Sequence, residues 1–90
     1  MYELILDESY LKKEKKFFKK HPEMIQRYGK ILTILRTSPN HPSLRLHKLK
    51  GNLSEYHSIS LNMSYRIVIN FIIKDEKIIF IDIGGHEVYK

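Results

Sequence analysis

The sequence predicts an α+β domain in which an N-terminal strand and a two-helix hairpin pack on one face of an antiparallel sheet completed by a three-stranded C-terminal meander. Three observations predict it. Apolar residues recur at helical spacing between Tyr10 and Leu35, and β-branched and aromatic residues dominate from Tyr56 to Ile83. Between these regimes lies Ser38-Pro39-Asn40-His41-Pro42, where each proline disfavours helical geometry in the residue before it. Ninety residues are too few for a second independent core, so residues 1–90 form a single domain.

Tyr2, Leu4 and Leu6 alternate with Glu3 and mark a short first strand. Asp7 or Ser9 then caps a helix whose apolar positions are Tyr10, Leu11, Phe17 and Phe18. His21-Pro22 interrupts it, and Pro22 suits the first turn of a second helix, where its missing N–H is not needed. Met24, Tyr28, Ile31 and Leu35 form the stripe of that helix. Three strands follow: Tyr56 to Leu61, Tyr65 to Ile73 and, across a Lys74-Asp75-Glu76-Lys77 turn, Ile78 to Ile83. In the middle one, Tyr65, Ile67, Ile69, Phe71 and Ile73 share a wholly apolar face that should meet the helices, which turns Arg66 and Asn70 outward.

Composition excludes several classes. With 42% hydrophobic residues the chain is not intrinsically disordered, and the run from Ile67 to Ile73 is far shorter than the roughly 20 residues of a membrane helix. Met1 is followed by an alternating stretch and not by a basic and then apolar leader, so a soluble protein of the cytoplasm is expected. Zero cysteines exclude disulfides, thiolate metal sites and a thiol nucleophile. The five histidines have no metal-ligand spacing, so no metal is expected, and no phosphate-binding glycine loop or acyl-enzyme motif is present. The net charge of +6 is uneven: residues 1–50 hold 12 Lys+Arg against 5 Asp+Glu, and no acid occurs from Lys30 to Gly51. That field favours a polyanion. The lysines between Lys12 and Lys20 also fit the plainer role of a solvated helix face.

Leu49-Lys50-Gly51 followed by Leu53 and Tyr56, then Tyr65-Arg66-Ile67-Val68, then Ile83-Gly84 leading to His86-Glu87-Val88-Tyr89 resemble the RelE/ParE superfamily of type II toxin–antitoxin toxins. The element order extends the likeness over essentially the whole chain. The resemblance implies a ribosome-dependent mRNA endonuclease that cuts mRNA in the ribosomal A site by turning a ribose 2′-hydroxyl onto the adjacent phosphate. It implies a cognate antitoxin, the ribosome and mRNA as partners, and no small-molecule cofactor. The alternative within the superfamily is the ParE branch, which inhibits DNA gyrase and lacks the nuclease residues.

Internal attack on RNA needs a base for the 2′-hydroxyl, donors for the charge building on the phosphate and an acid for the leaving oxygen. By resemblance, Arg66 matches the arginine with which RelE and YoeB toxins stabilise the phosphate, and a planar guanidinium donates two bonds to one phosphate at once. His47 stands where the YafQ branch places a histidine and YoeB a glutamate, and is the candidate general base. His86, after Gly84-Gly85, resembles the C-terminal histidine of YafQ and YoeB and is the candidate general acid, although the two histidines could exchange roles. Tyr89 matches the near-terminal tyrosine of RelE, whose ring stacks on a base or whose hydroxyl orients the phosphate. Arg45, Lys48 and Lys50, joined by Arg36, are assigned to RNA backbone, with His57 as a substitute group. Each residue also fits a plainer reading: a solvated strand arginine, a loop histidine, an aromatic plug on the sheet edge.

The departures are specific. RelE's lysine pair is replaced here by His57 and Ile59, which excludes a lysine-based mechanism. A histidine, an aspartate and an arginine of YafQ are replaced by Ser60, Ser64 and Asp82, and the missing acid between His86 and Glu87 shifts Tyr89 by one.

Overall fold

The structure, a computed structural model, describes residues 1–72 and 74–89, and the side chains of these apart from that of Tyr89. Its regular elements are β1 (Glu3–Ile5), α1 (Glu8–Lys20), α2 (Ile25–Thr37), β2 (His47–Lys48), β3 (His57–Ser60), β4 (Arg66–Ile72) and β5 (Lys77–Gly84). Short 3₁₀ turns cover Pro22–Met24, Pro42–Leu44, Gly51–Leu53 and His86–Tyr89. Ile73, expected at the end of the middle strand, lies outside the described residues.

The helices begin and end where local chemistry dictates. Asp7, not Ser9, caps α1, its Oδ1 accepting from the Tyr10 N–H at 2.8 Å, which satisfies one of the orphan donors of the first turn. His21 closes α1 through its N–H on the Phe17 carbonyl, and Pro22 opens the 3₁₀ turn that leads into α2. Ser38 ends α2, and Pro39 follows.

The strands form one five-stranded sheet of order β1-β5-β4-β3-β2. The meander β3-β4-β5 is antiparallel, as the alternation predicts. Two features correct the expectation of an antiparallel sheet of four strands. β1 pairs parallel to β5, with Leu4 opposite Ile78; a three-residue alternation carries no direction, and a parallel neighbour needs only a long crossover, which the intervening chain supplies. His47–Lys48 forms a fifth strand on β3, too short to leave a period in the sequence.

Both helices bury their stripes on one face of the sheet. The core joins Tyr10, Phe17, Tyr28, Ile31 and Leu35 of the helices to Ile59, Ile67, Ile69, Ile78, Phe80 and Ile83 of the strands. A register shift between Val68 and Ile69 leaves Ile81 of β5 without an opposite residue. Phe80 and Ile83 would face opposite ways in a regular strand, and this bulge lets both enter the core. The Tyr10 ring meets Phe80 edge-on at 5.2 Å. Its hydroxyl lies 2.8 Å from that of Tyr28, which donates to Glu14 Oε2 at 2.7 Å. The buried hydroxyls are thus satisfied, and burial pushes both phenols up, so the pair stays neutral.

Two stability measurements check this account. Phe80→Ala removes a side chain that is 1% exposed and should cost about 3–5 kcal/mol in urea unfolding. Gly29 sits inside α2 with open space where a Cβ would be, so Gly29→Ala should raise stability by about 0.5–1 kcal/mol.

Candidate functional site

The site follows from the parity of three strands. Ile59 and Ile67 belong to the core, so their neighbours Ser58, Ser60, Arg66 and Val68 face the side away from the helices. His47 is paired with Ser58 and shares that side. The outer face is not uniformly open: Val68 is only 1% exposed, and the turn His86–Tyr89 folds back on β4 and β5. A Cβ on Gly84 would lie 2.8 Å from Val88 Cγ1 and 2.9 Å from Glu87 Oε1, so a larger residue there would have to displace both side chains of the return.

Arg66 is the hub. Its Nε donates to Ser58 Oγ at 3.0 Å, and its Nη2 donates to the Arg45 carbonyl at 3.1 Å and approaches His47 Nδ1 at 3.3 Å. The His47 ring is held further by Ser58 Oγ, 3.4 Å from Nε2. A guanidinium only donates, so a bond from Nη2 to Nδ1 uses the ring's lone pair, whereas the Arg45 carbonyl, 3.4 Å from the same Nδ1, takes a proton from it; the two contacts call for opposite tautomers. Ser58, fully buried, therefore fixes both the guanidinium and the ring. Arg45 stands at φ 49, ψ 49, a left-handed conformation that costs a non-glycine residue energy. That geometry belongs to a backbone whose carbonyl is aimed at Arg66.

The structure thus brings His47 and Arg66, 19 positions apart, into contact. His86 lies two residues beyond Gly84, the register partner of Arg66, and so follows at the same end of the sheet. Tyr89 has its backbone in the 3₁₀ turn, and its side chain lies outside what is described. Arg45 contributes its carbonyl to Arg66 while its exposed side chain lines a separate cleft with Arg27 and Ser60. Lys50 is exposed just before the Gly51–Leu53 turn, where Gly51 takes φ +68, and Arg36 is exposed at the end of α2.

Two expected contributors are not brought to this cluster. His57 has the parity of Ile59 and faces the helix side, its ring 5.9 Å from that of Phe71, and its register partner Lys48 is on that side too. His57 Nδ1 is buried without a hydrogen-bond partner among the described residues. Desolvation, reinforced by Lys48 and His47, holds the His57 imidazole below its ordinary value. Conversely, Ser58 and the Arg45 carbonyl were not anticipated from sequence; the parity of Ser58 with Arg66 was the available signal.

No metal-sized group of three His, Asp or Glu side chains occurs among the described residues, and no helix there is long and apolar enough to cross a membrane. No protein-family model and no curated protein matches the chain. Solved structures do: a metal-bound toxin from Helicobacter pylori aligns with TM-score 0.80 at 20% identity over 100% of both chains. The E. coli DinJ–YafQ toxin–antitoxin complex aligns with TM-score 0.74 at 18% identity over 97% of this chain and 94% of that one. The Staphylococcus aureus YoeB–YefM complex gives 0.71 at 20% identity over 96% and 98%. At these identities the likeness is one of fold.

The lowered His57 has a testable sign. The unfolded chain takes up a proton near the ordinary value of 6.5 while the folded chain resists it, so this contribution to stability is complete above about pH 6.5 and is lost as the pH falls. Urea midpoints at about pH 7.5 and about pH 5 should fall further for the parent than for His57→Phe.

Proposed function

We propose that the protein is the toxin of a type II toxin–antitoxin pair and that it cleaves mRNA on the ribosome. The observation that carries this reading is the Arg66–His47 contact on the outer face of the sheet, where a donor for phosphate and an imidazole share one small site. In the cytoplasm, an mRNA phosphate presented there takes over Arg66 Nη2, and His47 Nδ1 is released as a proton acceptor for the adjacent 2′-hydroxyl. The 2′-oxygen then attacks phosphorus and the bond to the 5′-oxygen breaks, leaving a 2′,3′-cyclic phosphate and a free 5′-hydroxyl. Arg66 stabilises the charge that builds on the non-bridging oxygens, and His86 supplies the proton for the leaving oxygen. Tyr89 stacks on a base beside the cut, and the exposed side chains of Arg45 and Lys50 hold RNA backbone beyond it. No cofactor is required for this chemistry.

An antitoxin is the expected partner, and the similar fold of YafQ in its complex with DinJ supports it. Its acidic residues would cover the basic stretch from Lys30 to Gly51, which carries no acid of its own.

Primer extension on an mRNA translated during induction checks the activity. The parent should give A-site cuts, Arg66→Ala should lower cleavage about 10²- to 10³-fold, and His47→Ala about 10²- to 10⁴-fold. Equal toxicity of the variants would contradict the mechanism, and lost supercoiling without cuts would assign the protein to gyrase instead. Ser58→Ala should lower cleavage less than Arg66→Ala does, because Arg66 then loses only the group that aims its Nε.

A further inference from the structure

We propose that the cleft between α1 and the end of β5 is a second phosphodiester site, occupied by the backbone of the same single-stranded RNA beyond the Arg66 site. The identity of the strand rests on the ribonuclease reading above; the cleft itself does not. The cleft has a volume of about 410 Å³. It exists because β1 pairs only with Lys77–Ile79, which leaves the edge of β5 from Phe80 onward to α1.

The lining is cationic and its donors are available. Lys13, Lys16 and Lys20 recur at three- and four-residue spacing, so α1 presents them together on the face that lines the cleft, and His21, 3.6 Å from Glu23 Oε2, follows at the helix end. A merely solvated helix needs no such selection, and Lys12, Lys15 and Lys19 lie outside the lining. Lys13 Nζ donates to the Ile81 carbonyl at 3.1 Å, which ties α1 to the strand edge. Among the described residues, no carboxylate pairs with Lys16 or Lys20.

The two acids in the lining are turned to the backbone. Asp82 Oδ1 accepts from the Ile83 N–H at 2.8 Å, and Glu87 Oε1 accepts from the Gly85 N–H at 3.1 Å. Neither is paired with a cleft lysine. The far wall is aromatic: the rings of His21 and Tyr65 lie 4.6 Å apart, and the Tyr65 hydroxyl is 3.4 Å from His21 Nδ1. A cationic groove beside an aromatic ring is the combination that holds single-stranded nucleic acid without reading its sequence.

The cleft also adjoins the first site through chain neighbours. Tyr65 and Arg66 are successive residues that face opposite sides of the sheet, and Gly84 is both the register partner of Arg66 and part of the cleft lining. Between the two, Val88 and the Glu87 carboxylate lie against Gly84 and Gly85, so a strand leaving Arg66 passes over this turn before it meets the lysine row.

The test is the salt dependence of binding to a labelled single-stranded RNA carrying 2′-O-methyl groups, which removes the nucleophile and separates binding from cleavage. Each phosphate contact on single strands adds about 0.7 to the slope of log K against log salt. Lys16→Gln/Lys20→Gln should therefore lower the slope by about 1.4, while the charge-matched Lys15→Gln/Lys19→Gln leaves it unchanged. Equal losses in both double variants, no loss in either, or no RNA binding by the parent would each overturn the cleft. So would binding of polyglutamate in place of RNA, abolished by the cleft variant, since the occupant is then an acidic protein segment. Cleavage by Arg66→Ala is scored separately. A slope lost in the cleft variant while the parent makes no cuts would sink the ribonuclease reading alone, and an unchanged slope with cleavage abolished in Arg66→Ala would sink the cleft alone.

Discussion

The constraint on which everything else depends is that only one face of the sheet is covered by helices. α1 and α2 bury their stripes against Ile59, Ile67, Ile69, Ile78, Phe80 and Ile83, and the hydrophobic effect makes that pairing non-negotiable for a chain this small with no cysteine to staple it. Because successive strand residues alternate, fixing Ile67 inward fixes Arg66 outward, and fixing Ile59 inward places Ser58 beside it. The core and the candidate site are two consequences of one register.

On that outer face, the central contact joins a permanent cation and an imidazole. Arg66 cannot surrender a proton and cannot accept a bond, so wherever it bonds His47 Nδ1 it is the donor. Ser58 and the Arg45 carbonyl complete the hold at 3.0 and 3.1 Å. This is a preorganised donor set built on strands and not on a free loop, with strain stored at the left-handed Arg45. The returning turn at His86–Tyr89 closes one end of the face and packs Val88 and Glu87 against Gly84.

Much of this was legible before any coordinates, and the remainder was hidden for identifiable reasons. The helical hairpin and the meander announce themselves through long runs with a clear period, and the outward Arg66 follows from the five apolar residues that alternate with it. β2 stayed hidden because two residues cannot show a period, and the parallel β1 because three residues do not encode direction. Ser58 is a chemically quiet residue until its burial and its two partners are seen. Arg45 contributes a carbonyl, which every residue has. The pairing of His57 with the outer face was avoidable, since Ile59 two positions later already carries its parity.

The central claim, that Arg66 and His47 act as one phosphate-gated pair, is tested most directly by ¹⁵N NMR of the His47 ring with and without a non-cleavable 2′-O-methyl RNA. The account predicts that RNA shifts both ring nitrogens in the parent and leaves them unmoved in Arg66→Ala. A His47 response to RNA that is the same with and without Arg66 would contradict it.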